Sequence, residues 1–213
     1  MTEFGATVFV VDDDAAVRKS LARLLKSAGF RTESFGSADE FLDFWSSNPL
    51  PGCVLLDLSL PGLNGLQLQQ KLQSSSNTIP IIFITGHGDI PSTVTAMKAG
   101  AVDFFPKTFH DEDLLRAVRE AIRRDALQRA ERVERAAVER RFEAVTPRER
   151  EVMALVVRGL PNKQIASALG ASEKTVKIHR GRVMHKMEVQ SVADLVRAAE
   201  KVGMSPGASP RTG

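Results

Sequence analysis

The sequence predicts an α/β fold, a doubly wound five-stranded parallel sheet, continued by one long linker helix into an all-α unit of four helices. Three observations predict it. Short apolar runs alternate with helical periodicity through the first 123 of 213 residues, as in a parallel sheet covered by helices on both faces. Residues 111–142 contain neither Pro nor Gly. Beyond residue 145 the periodicity is helical and is punctuated by Gly and Pro.

The first strand is expected at 7–11 and the first helix at 15–28, where Val17, Leu21, Leu24, Leu25 and Ala28 recur at helical spacing and Gly29 supplies the stop. Strand 31–35 leads to a helix at 37–46, opened by Ser37 with Glu40 three residues on, a capping-box pattern. Strand 53–57 leads through Pro61-Gly62 to a helix at 65–73, and strand 81–85 leads through Gly86-His87-Gly88-Asp89 to a helix at 90–98. Strand 103–106 precedes a helix opening near 111, along which Leu115, Val118, Ile122, Ala126, Ala130, Val133 and Ala137 recur every three or four residues. Its upper part packs on the sheet. Its lower part, rich in Arg and Glu, forms either a two-stranded coiled coil between protomers or a solvated charged rod.

In the helical region Thr146-Pro147-Arg148-Glu149 combines an N-cap, a first-turn proline and an acid. Helix 147–158 turns Val152, Met153, Leu155 and Val156 inward, and helix 162–169 does so with Ile165, Ala166 and Leu169. The turn Gly170-Ala171-Ser172 precedes a longer helix at 173–187, which together make a helix-turn-helix pattern. A last helix, 191–202, is capped by Ser191, with Val192, Leu195, Val196 and Ala199 inward. The expected division is a sheet domain over 1–123, a linker over 124–144, a helical domain over 145–202 and a disordered tail over 203–213.

Composition is that of a soluble globular protein, 43% apolar and 26% charged. No apolar stretch reaches the roughly 18 residues that cross a bilayer, and the start, Met1-Thr2-Glu3-Phe4-Gly5, lacks a secretory signal. A cytoplasmic protein with no membrane partner is expected. The lone Cys53 reads as a small core hydrophobe rather than a reactive thiol. The net charge of +3 hides an asymmetry: residues 1–110 carry 8 Lys+Arg against 11 Asp+Glu, residues 111–145 carry 9 against 9, and residues 146–213 carry 12 against 6. A surplus confined to the last third fits a polyanion partner there, although a merely solvated basic face would look the same.

Asp13, Asp57, Thr85 and Lys107 each stand at the carboxyl end of an apolar run, the edge where ligands collect in such sheets. With Asp12, they would bring carboxylates, a hydroxyl and an ammonium together. An Asp-Asp pair alone is often only a helix N-cap. Joined to Asp57, Thr85 and Lys107, it makes a site for a divalent cation and a phosphoryl group. Hard carboxylate oxygens suit Mg²⁺ rather than zinc. Asp57 could then attack phosphorus as a carboxylate nucleophile, with Lys107 neutralising one phosphoryl oxygen and Thr85 hydrogen-bonding another. His87, a loop histidine near the pocket mouth, is either solvated or modulates loss of the phosphoryl group.

Residues 6–123 resemble the receiver domain of two-component response regulators through Asp12-Asp13, Asp57, Pro61-Gly62, Thr85-Gly86, Phe104 and Lys107, at intervals of 44, 28 and 22 residues counted from Asp13. The resemblance implies that Asp57 accepts phosphate from the histidine of a sensor kinase. It implies that Asp13, Asp57 and the Ser59 carbonyl bind Mg²⁺ with Asp12 acting through water, and that Thr85 and Phe104 form a switch. One departure stands out: Thr108 replaces the proline that usually follows the lysine in a cis peptide, which a non-proline residue adopts only at a cost of about 2.5 to 4 kcal/mol. A trans bond would aim the lysine less well.

Helix 173–187 turns Val176, Val183 and Met187 inward and leaves Lys174, Lys177, Ile178, Gly181 and Arg182 for the outer surface, a face able to enter the major groove. Asn162 and Lys163 on the preceding helix would meet phosphates. Residues 145–201 resemble the LuxR-type helix-turn-helix in Thr146-Pro147-Arg148-Glu149-Arg150-Glu151-Val152, in Gly159-Leu160-Pro161-Asn162-Lys163-Gln164-Ile165-Ala166 and in Thr175-Val176-Lys177-Ile178-His179. With the receiver this matches the NarL/FixJ group, most closely its StyR, TodT and NodW types. The resemblance adds Thr175 to the DNA-contacting residues and makes the last helix, at Ser191, Val192 and Leu195, a dimer contact on DNA. It implies a transcriptional regulator rather than an enzyme, losing its phosphate slowly. The implied partners are a sensor kinase, promoter DNA and a second copy of the chain, with RNA polymerase a further candidate. A phosphorylation-independent regulator with a weakened pocket is the nearest alternative. A phosphohydrolase is a more distant one, because position 59 is Ser where such an enzyme would want a second acid.

Overall fold

The computed structural model describes residues 5–74, 78–86 and 90–204. They divide into two compact units, Met1–Arg129 and Ala130–Gly213. In the first, β1 (Thr7–Val11), β2 (Arg31–Phe35), β3 (Gly52–Asp57), β4 (Ile81–Thr85) and β5 (Asp103–Pro106) form one sheet in the order β2-β1-β3-β4-β5. Every pairing is parallel. The intervening helices are α1 (Ala15–Ser27), α2 (Ala38–Ser47), α3 (Gly65–Ser74) and α4 (Ile90–Lys98), with α5 (Asp111–Glu143) following β5.

Side chains alternate along the buried strands, and two cores result. Phe9, Val11, Val54, Leu56 and Phe83 pack with Phe41, Trp45 and Leu68 from α2 and α3. Val8, Val10, Leu55, Ile82 and Ile84 pack with Leu21, Leu25, Leu114 and Val118 from α1 and α5. Burial of a side chain of this size stabilises by about 1.5–3 kcal/mol. Cys53 lies in the second core at 0% exposure, where burial and then the nearby charge of Asp125 push its thiol pKa far up. Ser37 caps α2 through the Glu40 amide, but the Glu40 carboxylate turns back to the amide of Gly36 instead of Ser37.

The second unit holds α6 (Pro147–Val157), α7 (Asn162–Leu169), α8 (Glu173–Lys186) and α9 (Val192–Lys201) around Val152, Met153, Val156, Ile165, Val176, Val183, Met187 and Leu195. Gly170 ends α7 in the left-handed conformation, with φ of 60°, which a residue without Cβ adopts at little cost. Thr146 and Glu149 form the reciprocal capping box that opens α6. Glu149 also accepts a 2.6 Å bond from Lys186 at the end of α8.

The region 124–144, expected as a linker, is largely claimed by the two units. Asp125 is buried and accepts from the Gly52 amide at 2.9 Å, while Arg129 donates to Asp125 and to the carbonyls of Pro49 and Leu50. Farther on, Val138 is 5% exposed in the core of the second unit and Phe142 packs beside it. Arg141 pairs with Glu188 and Lys201 pairs with Glu134. The end of α5 is therefore anchored in the second unit, while Leu127 and Val133 stay 52% and 71% exposed. Its anchors are far away in sequence, which is why local charge periodicity did not reveal them. Met204, expected in the tail, donates its amide to Ala199 at 2.9 Å and packs on the core. Residues 205–213 lie outside the described residues.

Burial alone would raise the Glu149 pKa, but bonds from Lys186 and Thr146 override it and lower it to about 2 from an ordinary 4.5. A depressed carboxylate pKa stabilises the fold above the unfolded value, and the contribution disappears as pH falls through the folded one. The second unit is expected to lose stability between pH 4.5 and about 2 in urea unfolding followed by circular dichroism. Lys186→Met, which strands Glu149, is expected to cost about 3 kcal/mol at neutral pH and to lose less across that acid window.

Candidate functional site

The acidic pocket forms at the carboxyl edge of the sheet. Asp12 and Asp13 follow β1, Asp57 ends β3, Thr85 ends β4 and Lys107 follows β5. The register pairs Val11 with Leu56, Asp57 with Ile84 and Thr85 with Pro106, so these ends lie side by side. The strand order reverses between β1 and β3, and there the crevice opens.

One carboxylate oxygen from each of Asp12, Asp13 and Asp57 lies within 4.8 Å of the others. Asp12 and Asp57 are 2% and 5% exposed, and Asp13 is exposed. Each like-charged pair at such range repels by about 3–4 kcal/mol at an effective dielectric near 20. Lys107 offsets part of this, its Nζ 2.9 Å from Asp57 Oδ2 and 2.8 Å from Asp12 Oδ2. Both contacts are short and charge-assisted, so one ammonium serves a carboxylate oxygen of each acid. Burial works to lower the Lys107 pKa, and the attraction of Asp12 and Asp57 overrides it, leaving it above the ordinary lysine value.

The other oxygens are held from the backbone. Asp12 Oδ1 accepts the Asp14 amide at 2.8 Å, and Asp57 Oδ1 accepts the Ser59 amide at 3.2 Å. Thr85 is 1% exposed, and its carbonyl accepts the Lys107 amide at 2.8 Å. Phe104 is half-buried, its ring 6.2 Å from that of Phe83. Every peptide bond among the described residues is trans, Lys107 to Thr108 included, yet the ammonium reaches both acids. His87 lies outside the described residues.

Three hard oxygen donors converge here, with no His or Cys among them. Such a set fits a small, oxygen-seeking divalent cation.

Two further residues escaped the sequence reading. Arg18, on α1, donates from Nη1 to the Asp12 carbonyl at 2.6 Å and so fixes the peptide that carries both acids of the pair. Gly65 opens α3 against the strand that ends in Asp57: a Cβ there would stand 2.5 Å from the Asp57 carbonyl oxygen and 3.0 Å from the Phe83 ring. Arginine in an amphipathic helix and glycine after a turn carry no local mark of these contacts.

On α8, Lys174, Thr175, Lys177, Ile178, Gly181 and Arg182 are all exposed, and so is Lys163 on α7. Asn162 is half-buried and accepts a bond from Arg180 at 3.1 Å. The Thr175 hydroxyl is shared with the capping Ser172 at 2.8 Å. Val176, Val183 and Met187 face inward. On α9 the expected contact set is corrected: Leu195 is 0% exposed in the core of its own unit and cannot meet a partner, whereas Ser191 is exposed and Val192 half-buried.

Residues 8–119 match the response regulator receiver domain, and residues 143–199 match the bacterial regulatory proteins of the luxR family. Nodulation protein W of Bradyrhizobium diazoefficiens is 50% identical over 208 residues, covering 97% of this chain and 91% of the relative. Transcriptional regulatory protein FixJ of Azorhizobium caulinodans is 43% identical over 200 residues, covering 93% and 94%. The solved structure of the response regulator StyR is similar, with a TM-score of 0.79 at 48% identity, covering 92% of this chain and 99% of that one. The chain belongs to the response regulators, joining a receiver to a LuxR-type DNA-binding domain as in the NarL/FixJ group. It is a phosphorylation-dependent transcription regulator of a two-component system.

Arg18→Met keeps the side-chain stem and removes the donor. It is expected to weaken binding of a divalent cation about tenfold, the scale of losing a partner that orients a metal ligand, in calorimetric titration of the full chain. Arg18→Lys should fall between the two.

Proposed function

We propose that Asp57 is the phosphoryl acceptor of this regulator and that a sensor histidine kinase is its donor. The convergence of Asp12, Asp13 and Asp57 around a lysine ammonium carries the reading. An Asp57 carboxylate oxygen attacks phosphorus, a P–O bond forms, and the bond from phosphorus to the kinase histidine nitrogen breaks. Mg²⁺ held by Asp12, Asp13, Asp57 and the Ser59 carbonyl would offset charge on the transferring group. Lys107, released from Asp57 Oδ2, neutralises a phosphoryl oxygen, and the Thr85 hydroxyl bonds another. Movement of Thr85 makes room for Phe104 to turn inward on Phe83. The surface of α4 and β5 is thereby remodelled for self-association.

The dimer presents two α8 helices to promoter DNA. Lys174, Thr175, Lys177, Ile178, Gly181 and Arg182 form the reading face, with Asn162 and Lys163 toward the phosphates. Gly181 supports this. A Cβ there would meet nothing within 4 Å, so alanine would fit and would stabilise the helix by about 1 kcal/mol. Close approach of another backbone or a base edge explains why glycine serves. Ser191 and Val192 lie where two copies would meet on DNA, and RNA polymerase is the further partner. Among the described residues no helix is long and apolar enough to cross a membrane; a cytoplasmic regulator that sheds its phosphate slowly fits.

Asp57→Asn is expected to abolish labelling by acetyl phosphate and the phosphate-dependent gain in operator binding; retained labelling would remove Asp57 from the role. Lys163→Ala is expected to weaken binding uniformly across DNA sequences and to reduce the slope of log affinity against log salt by about 1, measured by fluorescence anisotropy. An unchanged slope would place Lys163 off the phosphates.

A further inference from the structure

The helix that carries the proposed output surface is poorly anchored by apolar contacts. α4 buries only Ala96, while Ile90, Val94 and Met97 are 80%, 44% and 41% exposed. A helix of nine residues has little stability of its own, so its orientation depends on what grips it.

Part of that grip comes from α3. Gly65, Leu68, Gln69 and Leu72 make up its buried stripe, and Gln69 is the polar member, 1% exposed. Its Nε2 donates to the carbonyls of Ala96 at 3.1 Å and Ala99 at 3.0 Å, in the last turn of α4 and just beyond it. Two carbonyl acceptors fix which end of the amide is the NH₂ group. Exposed Gln73, one turn on, donates to the Ala99 carbonyl as well. The same turn is closed by the Gly100 amide on Met97 and the Ala101 amide on Ala96. Gln69 Oε1 is buried and meets no donor among the described residues. An apolar side chain would fill this position without that desolvation cost. What glutamine adds is direction, because its two bonds fix the carboxyl end of α4 against α3.

We infer that Gln69, assisted by Gln73, is a positioning residue for signal output. It pins the carboxyl end of α4, and rearrangement at Thr85 turns the Ile90, Val94 and Met97 face about that fixed end. The inference rests on the reading that phosphorylation of Asp57 drives self-association through α4 and β5. Gln69 and Gln73 touch no residue of the acidic pocket through these bonds, so the chemistry at Asp57 and the presentation of α4 can be separated.

The test uses the full-length chain with Mg²⁺ and beryllofluoride, Gln69→Met as the volume-matched variant and Gln73→Met as a surface variant that spares the core. Labelling of Asp57 by acetyl phosphate should stay within about twofold of wild type, while amide exchange over residues 97–101 accelerates. The dimer dissociation constant with beryllofluoride, from sedimentation equilibrium, should rise about fivefold to tenfold for Gln69→Met, the scale of one or two lost hydrogen bonds. It should rise less, in the same direction, for Gln73→Met, which carries the test alone if Gln69→Met does not fold. Wild-type dimerisation strength in a labelled, folded Gln69→Met protein would overturn the pin and leave the acceptor site standing. Failure of wild type itself to be labelled or to dimerise would overturn the underlying reading and the pin together.

Discussion

The acidic edge of the sheet depends on holding three carboxylates closer than their charges favour. Asp12, Asp13 and Asp57 come from two strands that the sheet locks side by side, and Lys107 reaches across from a third to pair with two of them. None of these contacts is local. Parallel register aligns the strand ends, two apolar cores hold the register, and the repulsion that remains is what a divalent cation would relieve. Arg18 and Gly65 serve the same end, the first by fixing the Asp12 carbonyl and the second by letting α3 approach the Asp57 backbone.

The second unit meets a different constraint, that of exposing a basic helix while keeping a small core intact. Val176, Val183 and Met187 commit one face of α8 to that core, and Lys186 ties its end to Glu149 in the capping box of α6. The opposite face, with Lys174, Lys177 and Arg182, is left free of packing duties. Ile178 is 48% exposed and Gly181 has open space around it, features that cost stability in isolation and suit a partner.

Much of this was legible in the sequence because the signals were short-range or stereotyped. β1, β3, β4 and β5 follow from apolar runs, and the helices of both units follow from periodicity, caps and glycine stops such as Gly29 and Gly170, with bounds that agree to within a residue or so. The convergence of Asp12, Asp57, Thr85 and Lys107 follows from their placement at strand ends. The features that escaped are long-range. Asp125 grips Gly52 from 73 residues away, and Val138 and Phe142 pack in the C-terminal core. Gln69 looked like one more polar residue in a glutamine-rich helix. A helical period identifies a buried stripe but not the element that covers it.

The central claim is that the pocket receives phosphorus on one particular carboxylate, and the most direct measurement is chemical. After incubation with acetyl phosphate and Mg²⁺, borohydride reduces an aspartyl phosphate to homoserine, and peptide mass spectrometry locates the converted residue. The account predicts homoserine at position 57 alone. Conversion at Asp12 or Asp13, or none at position 57 under conditions that incorporate phosphate, would contradict it.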